Sequence, residues 1–167
     1  QKAAQLLGNA KNPMIFVGSG ALGAEEAIQQ LAEMLQAPVV MGRSGTGILS
    51  SRHFLSLRSA MAYELWERAD VVIALGTRLS TPMNNWGYDS DLKVIRVDID
   101  PVEQIRSAKP EVGIVARVQD AIGPLVDAVA KSNSVRASRQ EEMEAVKAEF
   151  AERMAYLQPQ LSYINAI

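Results

Sequence analysis

The sequence predicts a three-layer α/β/α Rossmann-like domain with a mostly parallel sheet of five to six strands. Its strongest signal is the segment 69–78, where the apolar run from Val71 to Leu75 is too short and too β-branched for a helix. Such a run is typical of a strand buried on both faces, in the centre of a parallel sheet. Similar runs alternate with helical periods along the chain, which predicts parallel strands joined by right-handed crossovers.

The composition excludes several classes of protein. The chain has 167 residues, of which 48% are hydrophobic, and a formal net charge of −2, which favours one buried core over a disordered or nucleic-acid-coating chain. It has no cysteine, so disulfides, thiolate metal ligands and a cysteine nucleophile are excluded, and a reducing cytoplasm is compatible. No apolar run approaches the roughly 20 residues of a membrane-spanning helix. We expect a cytoplasmic protein that binds neither nucleic acid nor membrane.

The first half opens with strand and helix signals in alternation. They are a helical pattern at 1–9, an apolar strand at 14–17, a helix at 24–36 and a strand at 37–41. Between the first strand and the next helix, Gly18-Ser19-Gly20-Ala21-Leu22-Gly23 matches the G-x-G-x-x-G motif, whose backbone N–H groups can approach a phosphate at the helix N-terminus. A close strand-to-helix turn explains the glycines equally well. The acidic residue that dinucleotide sites carry about 20 residues later is missing.

Residues 42–57 are predicted to form a long irregular loop. It contains Arg43 and Ser44 within a glycine-rich stretch, where an arginine could accommodate a phosphate as in NADP sites. It also contains the only histidine, His53, which we expect to be an exposed loop residue, since one histidine cannot build a multi-histidine metal site. A short amphipathic helix at 62–68 then leads into the central strand.

The central strand ends in Gly76-Thr77-Arg78, a polar and cationic segment followed by an aperiodic loop at 79–87. Ligands of open α/β sheets bind beyond the carboxyl ends of the strands. We therefore expect the segment 76–78 to contact a ligand.

The strand at 94–100 ends in two acids, Asp98 and Asp100. Their carboxylates could accept hydrogen bonds from ribose hydroxyls or an adenine amine. Asp100, Pro101 and Glu103 also match a helix capping box. Both roles are compatible if Asp98 and Asp100 point to opposite sides, as we expect.

The α/β pattern is complete at Lys131. The later elements are a strand at 112–116, a helix at 119–131, a polar hinge at 132–138, a charged amphipathic helix at 139–156 that Gln158-Pro159 ends, and a new apolar period from Leu161 to Ile167. We predict a central Rossmann-like domain over 1–131 and a linker helix to another domain over 132–167.

Four segments, in their order and spacing, resemble the central domain of thiamine-diphosphate-dependent enzymes, a family that includes acetolactate synthase, pyruvate oxidase and benzoylformate decarboxylase. The segments are Pro13–Gly20, Ala37–Val40, Ala69–Arg78 and Val94–Pro101. The resemblance covers about residues 1–131. The tail resembles the link into the C-terminal diphosphate-binding domain of that family.

The resemblance implies a parent enzyme that acts on 2-oxo acids as a decarboxylase or an acetolactate synthase-like carboligase, hence a lyase or a transferase. Thiamine diphosphate and Mg²⁺ would be bound by the N-terminal and C-terminal domains of the parent, and thiamine diphosphate carries the chemistry. A homodimer or homotetramer and a 2-oxo acid or acyl-CoA substrate are implied too. The family's Gly-Asp-Gly motif does not occur in this sequence, so we expect no catalytic and no metal-ligating residue in this chain.

The central domain of the family binds FAD in acetolactate synthases and pyruvate oxidases, ADP in oxalyl-CoA decarboxylases and nothing in several decarboxylases. By motif position, the resemblance implies a cofactor-binding set of Gly18, Ser19, Gly20, Arg43, Ser44, Gly76, Thr77, Arg78, Asp98 and Asp100. Two segments depart from the flavin-binding pattern: Leu57-Arg58-Ser59-Ala60 replaces Gly-Met-x-Gly, and Leu79-Ser80-Thr81 replaces acidic residues. Arg58 could block an extended flavin or pair with a phosphate or acyl-CoA group, so FAD, ADP and an empty domain stay open.

Three other interpretations also stay open. A stand-alone NADP-dependent oxidoreductase would use Gly18–Gly23 and Arg43, although the chain has no Tyr-x-x-x-Lys and no histidine–carboxylate pair as a proton donor. A sirtuin-like or electron-transfer-flavoprotein-like nucleotide domain shares the architecture. A purely structural scaffold would use the loops and the apolar face of 139–157 to contact neighbouring domains.

Overall fold

One parallel β-sheet with helices on both sides forms the domain. The computed structural model describes residues 1–106 and 109–162, and side chains as far as residue 155. In chain order the elements are α1 (Lys2–Asn9), β1 (Pro13–Val17), α2 (Glu25–Leu35), β2 (Val39–Met41), β3 (Ser56–Arg58), α3 (Ser59–Trp66), β4 (Val71–Leu75), β5 (Lys93–Asp98), β6 (Val112–Val115), α4 (Val118–Ala130) and α5 (Gln140–Ser162). α1 and α2 contact α4, whereas α3 contacts α5. The prediction of a three-layer α/β/α Rossmann-like domain is confirmed.

The strand order is β3-β2-β1-β4-β5-β6, and every neighbouring pair is parallel. The chain builds the sheet outwards from β1 to β3 and then returns to start at β4 on the other side of β1. This reversal makes the carboxyl ends of β1 and β4 the topological switch point, where doubly wound sheets bind their ligands.

The two central strands, β1 and β4, are buried along their whole length. Ile15 pairs with Ile73 at the middle of the sheet, and neither side chain has any exposed surface. Burying each side chain of this size stabilises the fold by roughly 1.5–3 kcal/mol. Helices cover both faces, which is why these strands are continuously apolar. Among the described residues, no helix is both long and apolar enough to cross a membrane.

The segment 42–57 is not the irregular loop that the sequence predicted. It contains a 3₁₀ turn at Arg43–Gly45 and runs into the edge strand β3, which pairs with β2. His53 is not exposed either, since only 16% of its side chain is accessible and its Nε2 lies 3.1 Å from Oε1 of Glu33. The polar composition of the loop did not show that other elements cover it.

The predicted capping box is wrong, because the described residues 101–106 after Asp100 form no α-helix. Glu103–Ile105 form a single 3₁₀ turn, and the carboxylate of Asp100 instead accepts a hydrogen bond of 2.8 Å from the backbone N–H of Val102. Glu103 is buried, and its carboxylate lies 2.7 Å from Arg106 and 3.4 Å from Arg78. Glu103 thus neutralises neighbouring cations.

The segment 132–138 is fastened to the domain and is not a free hinge. Arg136 donates hydrogen bonds to the carbonyls of Leu7, Gly8 and Ala10 at and just beyond the C-terminal end of α1, where the last carbonyls of a helix lack i+4 partners. Asn133 donates to the carbonyl of Met34 at 2.9 Å. These contacts hold the start of α5 against the ends of α1 and α2.

The helix α5 begins one residue later than predicted and does not end at Pro159, since its backbone is helical to Ser162. The fixed φ of proline is compatible with an α-helix. Its missing N–H removes one hydrogen bond and its ring kinks the helix, but neither effect necessarily ends it. Met143 of α5 has no exposed surface and belongs to the core. The predicted apolar period falls on residues 163–167 in its larger part, which lies outside the described residues, and a continuation into another domain stays a prediction.

Candidate functional site

A cleft of about 820 Å³ opens at the carboxyl ends of β1, β4 and β5; we call it the switch-point cleft. From the predicted set it brings together Ser19, Gly20, Ser44, Gly76, Thr77, Arg78, Asp98 and Asp100. Gly18 lies behind the lining, and Arg43 lines a different cleft. Residues from the ends of four neighbouring strands, β2, β1, β4 and β5, therefore meet in one place, as the parallel sheet requires.

The glycines at this edge allow two loops to touch backbone to backbone. A Cβ on Gly18 would lie 2.4 Å from the carbonyl oxygen of Gly76, and one on Gly76 would lie 2.5 Å from Cα of Gly20. Gly76 also has a φ of +57°, a left-handed conformation that disfavours other residues. The close packing of the loops after β1 and β4 therefore explains these glycines by itself, without a bound phosphate.

The N-terminus of α2 is already occupied by a carboxylate of the chain. Oε1 of Glu25 accepts a hydrogen bond of 2.8 Å from the backbone N–H of Gly23. This bond lowers the pKa of Glu25 below its ordinary value. A phosphate bound there would meet both Glu25 and Glu26, so any phosphate in the switch-point cleft has to be held by other groups.

The switch-point cleft contains charges of both signs. The guanidinium of Arg78 is 70% exposed, while its Nε lies 3.4 Å from Glu103. Oδ1 of Asp98 accepts the N–H of Asp100 at 3.0 Å, and Oδ1 of Asp100 accepts the N–H of Val102. Asp98 is the last residue of β5 and Asp100 lies beyond the strand, yet both line the same cleft, contrary to the expectation that they point to opposite sides.

A buried arginine fixes the loop that carries Arg78. Arg96 of β5 has no exposed surface, and its NH1 donates a hydrogen bond of 3.0 Å to the carbonyl of Arg78. Burial lowers the pKa of Arg96, whereas the nearby Asp98 and Glu103 favour the charged form. The next residue, Leu79, is buried with a φ of +53°, which is rare for a leucine. The conformation of 76–79 is therefore imposed by its surroundings.

The family model of the thiamine pyrophosphate enzyme central domain matches residues 1–125. The chain belongs to this family. It is 41% identical over 128 residues to a sulfoacetaldehyde acetyltransferase of Roseovarius nubinhibens, in a match that covers 68% of this chain and 21% of that protein. It is 33% identical over 138 residues to an acetolactate synthase of Arthrospira platensis, with 75% and 24% covered.

A third relative is the acetolactate synthase isozyme 1 large subunit of Escherichia coli K12, which is 30% identical over 135 residues, with 76% of this chain and 24% of that protein covered. The chain thus spans about a fifth to a quarter of the length of these relatives. The prediction of a central domain of this family is confirmed.

Sequence reasoning missed several residues that line the cleft, among them Arg117 and Gln119. Nε2 of Gln119 donates to the carbonyls of Gly20 and Leu22, at 3.1 and 2.6 Å, and so fixes the turn after β1. Arg117 follows the edge strand β6, and a cation just beyond a strand end is the signal that could have identified it.

A second cleft of the central domain, of about 890 Å³, lies at the carboxyl ends of β2 and β3; we call it the edge cleft. Arg43, Arg58 and Lys147 line it together with several serines. Arg43 and Ser44, adjacent in sequence, thus line separate clefts. Among the described residues, no group of three or more histidine, cysteine, aspartate or glutamate side chains could hold a metal ion.

Proposed function

We propose that the chain is the central domain of a thiamine-diphosphate- and Mg²⁺-dependent enzyme that acts on 2-oxo acids, with an active site built by the N-terminal and C-terminal domains of the same parent chain. The names of its relatives, acetolactate synthase and sulfoacetaldehyde acetyltransferase, support a parent that transfers two-carbon units. A homodimeric or homotetrameric parent completes this proposal. Thiamine diphosphate supplies the carbanion chemistry in such an enzyme, and the central domain contributes none of it.

Within the parent, the switch-point cleft binds the ADP part of an adenine nucleotide. The observation that carries this is the meeting of Arg78 and Arg117 with Asp98 and Asp100 at neighbouring strand ends. Guanidinium groups bind phosphates, and carboxylate oxygens accept hydrogen bonds from ribose hydroxyls. A volume of about 820 Å³ is in the range of cofactor pockets.

The lining of the two clefts favours ADP, confined to the switch-point cleft, over an extended FAD that would occupy both. An extended FAD would have to continue from the switch-point cleft, past Ser44, into the edge cleft. In the edge cleft, Arg58 occupies the position at which flavin-binding members of the family have the methionine of Gly-Met-x-Gly. Arg43 and Lys147 line the same cleft. The edge cleft also has apolar lining residues such as Met41 and Leu57, but an isoalloxazine there would have to displace the side chain of Arg58, so we expect the nucleotide to end within the switch-point cleft.

Isothermal titration calorimetry of the chain with ADP, FAD and NADP tests the nucleotide proposal. We expect ADP to bind, and Arg78→Gln and Asp98→Asn each to weaken it by about tenfold, the loss of one charge-assisted hydrogen bond. Arg52→Gln, an exposed arginine outside both clefts, is the matched control. Binding of FAD with flavin absorbance but not of ADP, or of NADP alone, would contradict the proposal.

Turnover by the full-length protein tests the proposed activity. With thiamine diphosphate and Mg²⁺, pyruvate should be consumed with release of carbon dioxide, and the chain by itself should show no turnover. Sulfoacetaldehyde, which the name of one relative contains, is the second substrate to assay. If no turnover with 2-oxo acids or sulfoacetaldehyde depends on thiamine diphosphate, the proposed activity is wrong.

A further inference from the structure

The edge cleft has charge of only one sign in its lining. Its charged lining residues are Arg43, Arg58 and Lys147, and no aspartate or glutamate of the part of the chain that the structure describes borders it. Among residues 1–106 and 109–155, whose side chains are described, no carboxylate lies within ion-pair distance of Arg43 or Arg58. Glu144 lies near Lys147 and offsets part of its charge, whereas Arg43 and Arg58 keep theirs and create a positive potential that attracts anions.

Three separate elements bring these cations together. Arg58 ends β3 and pairs with Met41 of β2, so Arg43, two residues beyond Met41, lies at the adjacent strand end. Lys147 comes from α5 and donates a hydrogen bond of 2.9 Å to the carbonyl of His53. The cluster is therefore a product of tertiary structure, in which secondary structure places the backbones of Arg43 and Arg58 and a hydrogen bond holds the ammonium of Lys147.

Neutral donors and apolar side chains, among them Met41, Leu49 and Leu57, complete the lining. Four serines border the cleft, and Ser59, Ala60 and Met61 belong to the first turn of α3, whose N-terminus has no side-chain cap and no acidic residue. The first N–H groups of a helix lack helical partners and favour an anion. Polar hydrogens of three kinds, from guanidinium, hydroxyl and backbone groups, thus point to one class of ligand.

We propose that the edge cleft binds a phosphate-bearing small molecule, in a site separate from the nucleotide in the switch-point cleft. The two sites differ in their acceptors, because the edge cleft has no carboxylate with which to hold ribose hydroxyls. Its ligand is therefore recognised through phosphate oxygens, as in a phosphate monoester or a diphosphate group. Arg58 is the central residue of this site and takes the place of the flavin-contacting segment of the family pattern.

Inorganic pyrophosphate is the probe that tests this site. Titration of the ¹⁵N-labelled chain, followed by amide chemical shifts, should perturb Arg43, Thr46, Ser59 and Ala60, which surround the edge cleft. Arg58→Gln and Arg43→Gln should each weaken pyrophosphate binding by about tenfold, as expected when a charge-assisted hydrogen bond is lost. Arg52→Gln should leave it unchanged. Circular dichroism melting of each variant verifies that its fold is intact.

Competition with ADP distinguishes a separate ligand from the phosphates of the nucleotide itself. Saturating ADP should leave pyrophosphate bound at the edge cleft, and Arg78→Gln should weaken ADP without affecting pyrophosphate. Displacement of pyrophosphate by ADP would show one extended nucleotide site and overturn the separate site. Shifts confined to Gly20 and Gly76, or pyrophosphate binding by folded Arg58→Gln with unchanged affinity, would overturn it as well. Neither result depends on whether the parent is a thiamine-diphosphate enzyme.

Discussion

The switch-point cleft and the edge cleft lie along the same edge of one sheet and differ in how they are built. Glycine backbones and charges of both signs form the switch-point cleft, whereas the edge cleft has serines and three cations. The switch-point cleft offers charged donors and acceptors to a ligand, whereas the charged groups of the edge cleft favour an anion. The comparison teaches that a shared fold position does not set the ligand class, because the class follows from the side chains that each strand end presents.

The largest effect is expected from Gly76→Ala, which tests whether the switch-point cleft depends on backbone contact. The added Cβ would lie 2.5 Å from backbone atoms of Gly20, and the alanine would have to adopt a φ of +57°. We expect a loss of about 4 kcal/mol or more in the free energy of unfolding. Urea denaturation followed by circular dichroism measures it.

Gly42→Ala is the control from the edge cleft, since no heavy atom lies within 4 Å of a Cβ there and φ is −74°. It should change the free energy of unfolding by less than about 0.5 kcal/mol. Equal losses in the two variants would contradict the contrast between the clefts.

Arg58→Met tests whether one cation sets the ligand of the edge cleft. It replaces the guanidinium with the residue type of the Gly-Met-x-Gly pattern, so pyrophosphate should bind about tenfold more weakly. ADP affinity should stay the same, and FAD affinity should rise. Calorimetry with the three ligands measures all of this. Unchanged pyrophosphate affinity in the folded variant would contradict the role of Arg58.

A smaller difference between the two clefts is expected in how salt changes the affinity of each for its ligand. Between 0.05 and 0.5 M KCl, the affinity of pyrophosphate for the edge cleft should fall more steeply than that of ADP for the switch-point cleft. The reason is that pyrophosphate is held by charge, while part of the ADP affinity comes from ribose contacts and buried surface. Titrations at four salt concentrations give both slopes. Equal slopes would show that both ligands are held by the same kind of interaction.

The smallest expected effect is on stability at low pH. Acid should weaken the packing of α5, the helix that supplies Lys147 to the edge cleft and that we call the α5 wall. The hydrogen bond from Arg139, aided by Arg68, holds the pKa of Glu142 below its ordinary value of 4.5. A carboxyl with a lowered folded-state pKa stabilises the fold above its unfolded-state pKa, and this contribution is lost as the pH falls through the folded-state value. Glu142→Gln should therefore flatten the fall in thermal stability below about pH 4.5.

Glu141→Gln is the control for this pH profile, because the neighbouring Glu141 has no ion pair among the described contacts. The thermal stability of this variant should fall below about pH 4.5 as steeply as that of the unaltered chain. Identical profiles for both variants and the unaltered chain would show that the pairs of Glu142 do not stabilise the α5 wall.

The sequence by itself determined the sheet and most of the residues at its ligand edge. The apolar runs of β1, β4 and β5 are continuous because both faces are buried, and that pattern is local and readable. The residues at or just beyond the ends of these strands, among them Ser19, Thr77 and Asp98, could be chosen because parallel strands end at the same edge.

Only the tertiary structure decided how the remaining residues combine. The edge strand β3 has three residues, too few for a period, and exists through its pairing with β2. The burial of Arg96 and His53 depends on the elements that cover them, which are distant in sequence. Lys147 joins Arg58 across 88 intervening residues. Local chemistry fixes which segments are strands, whereas long-range packing fixes which charges share a cleft, and the ligand depends on the second.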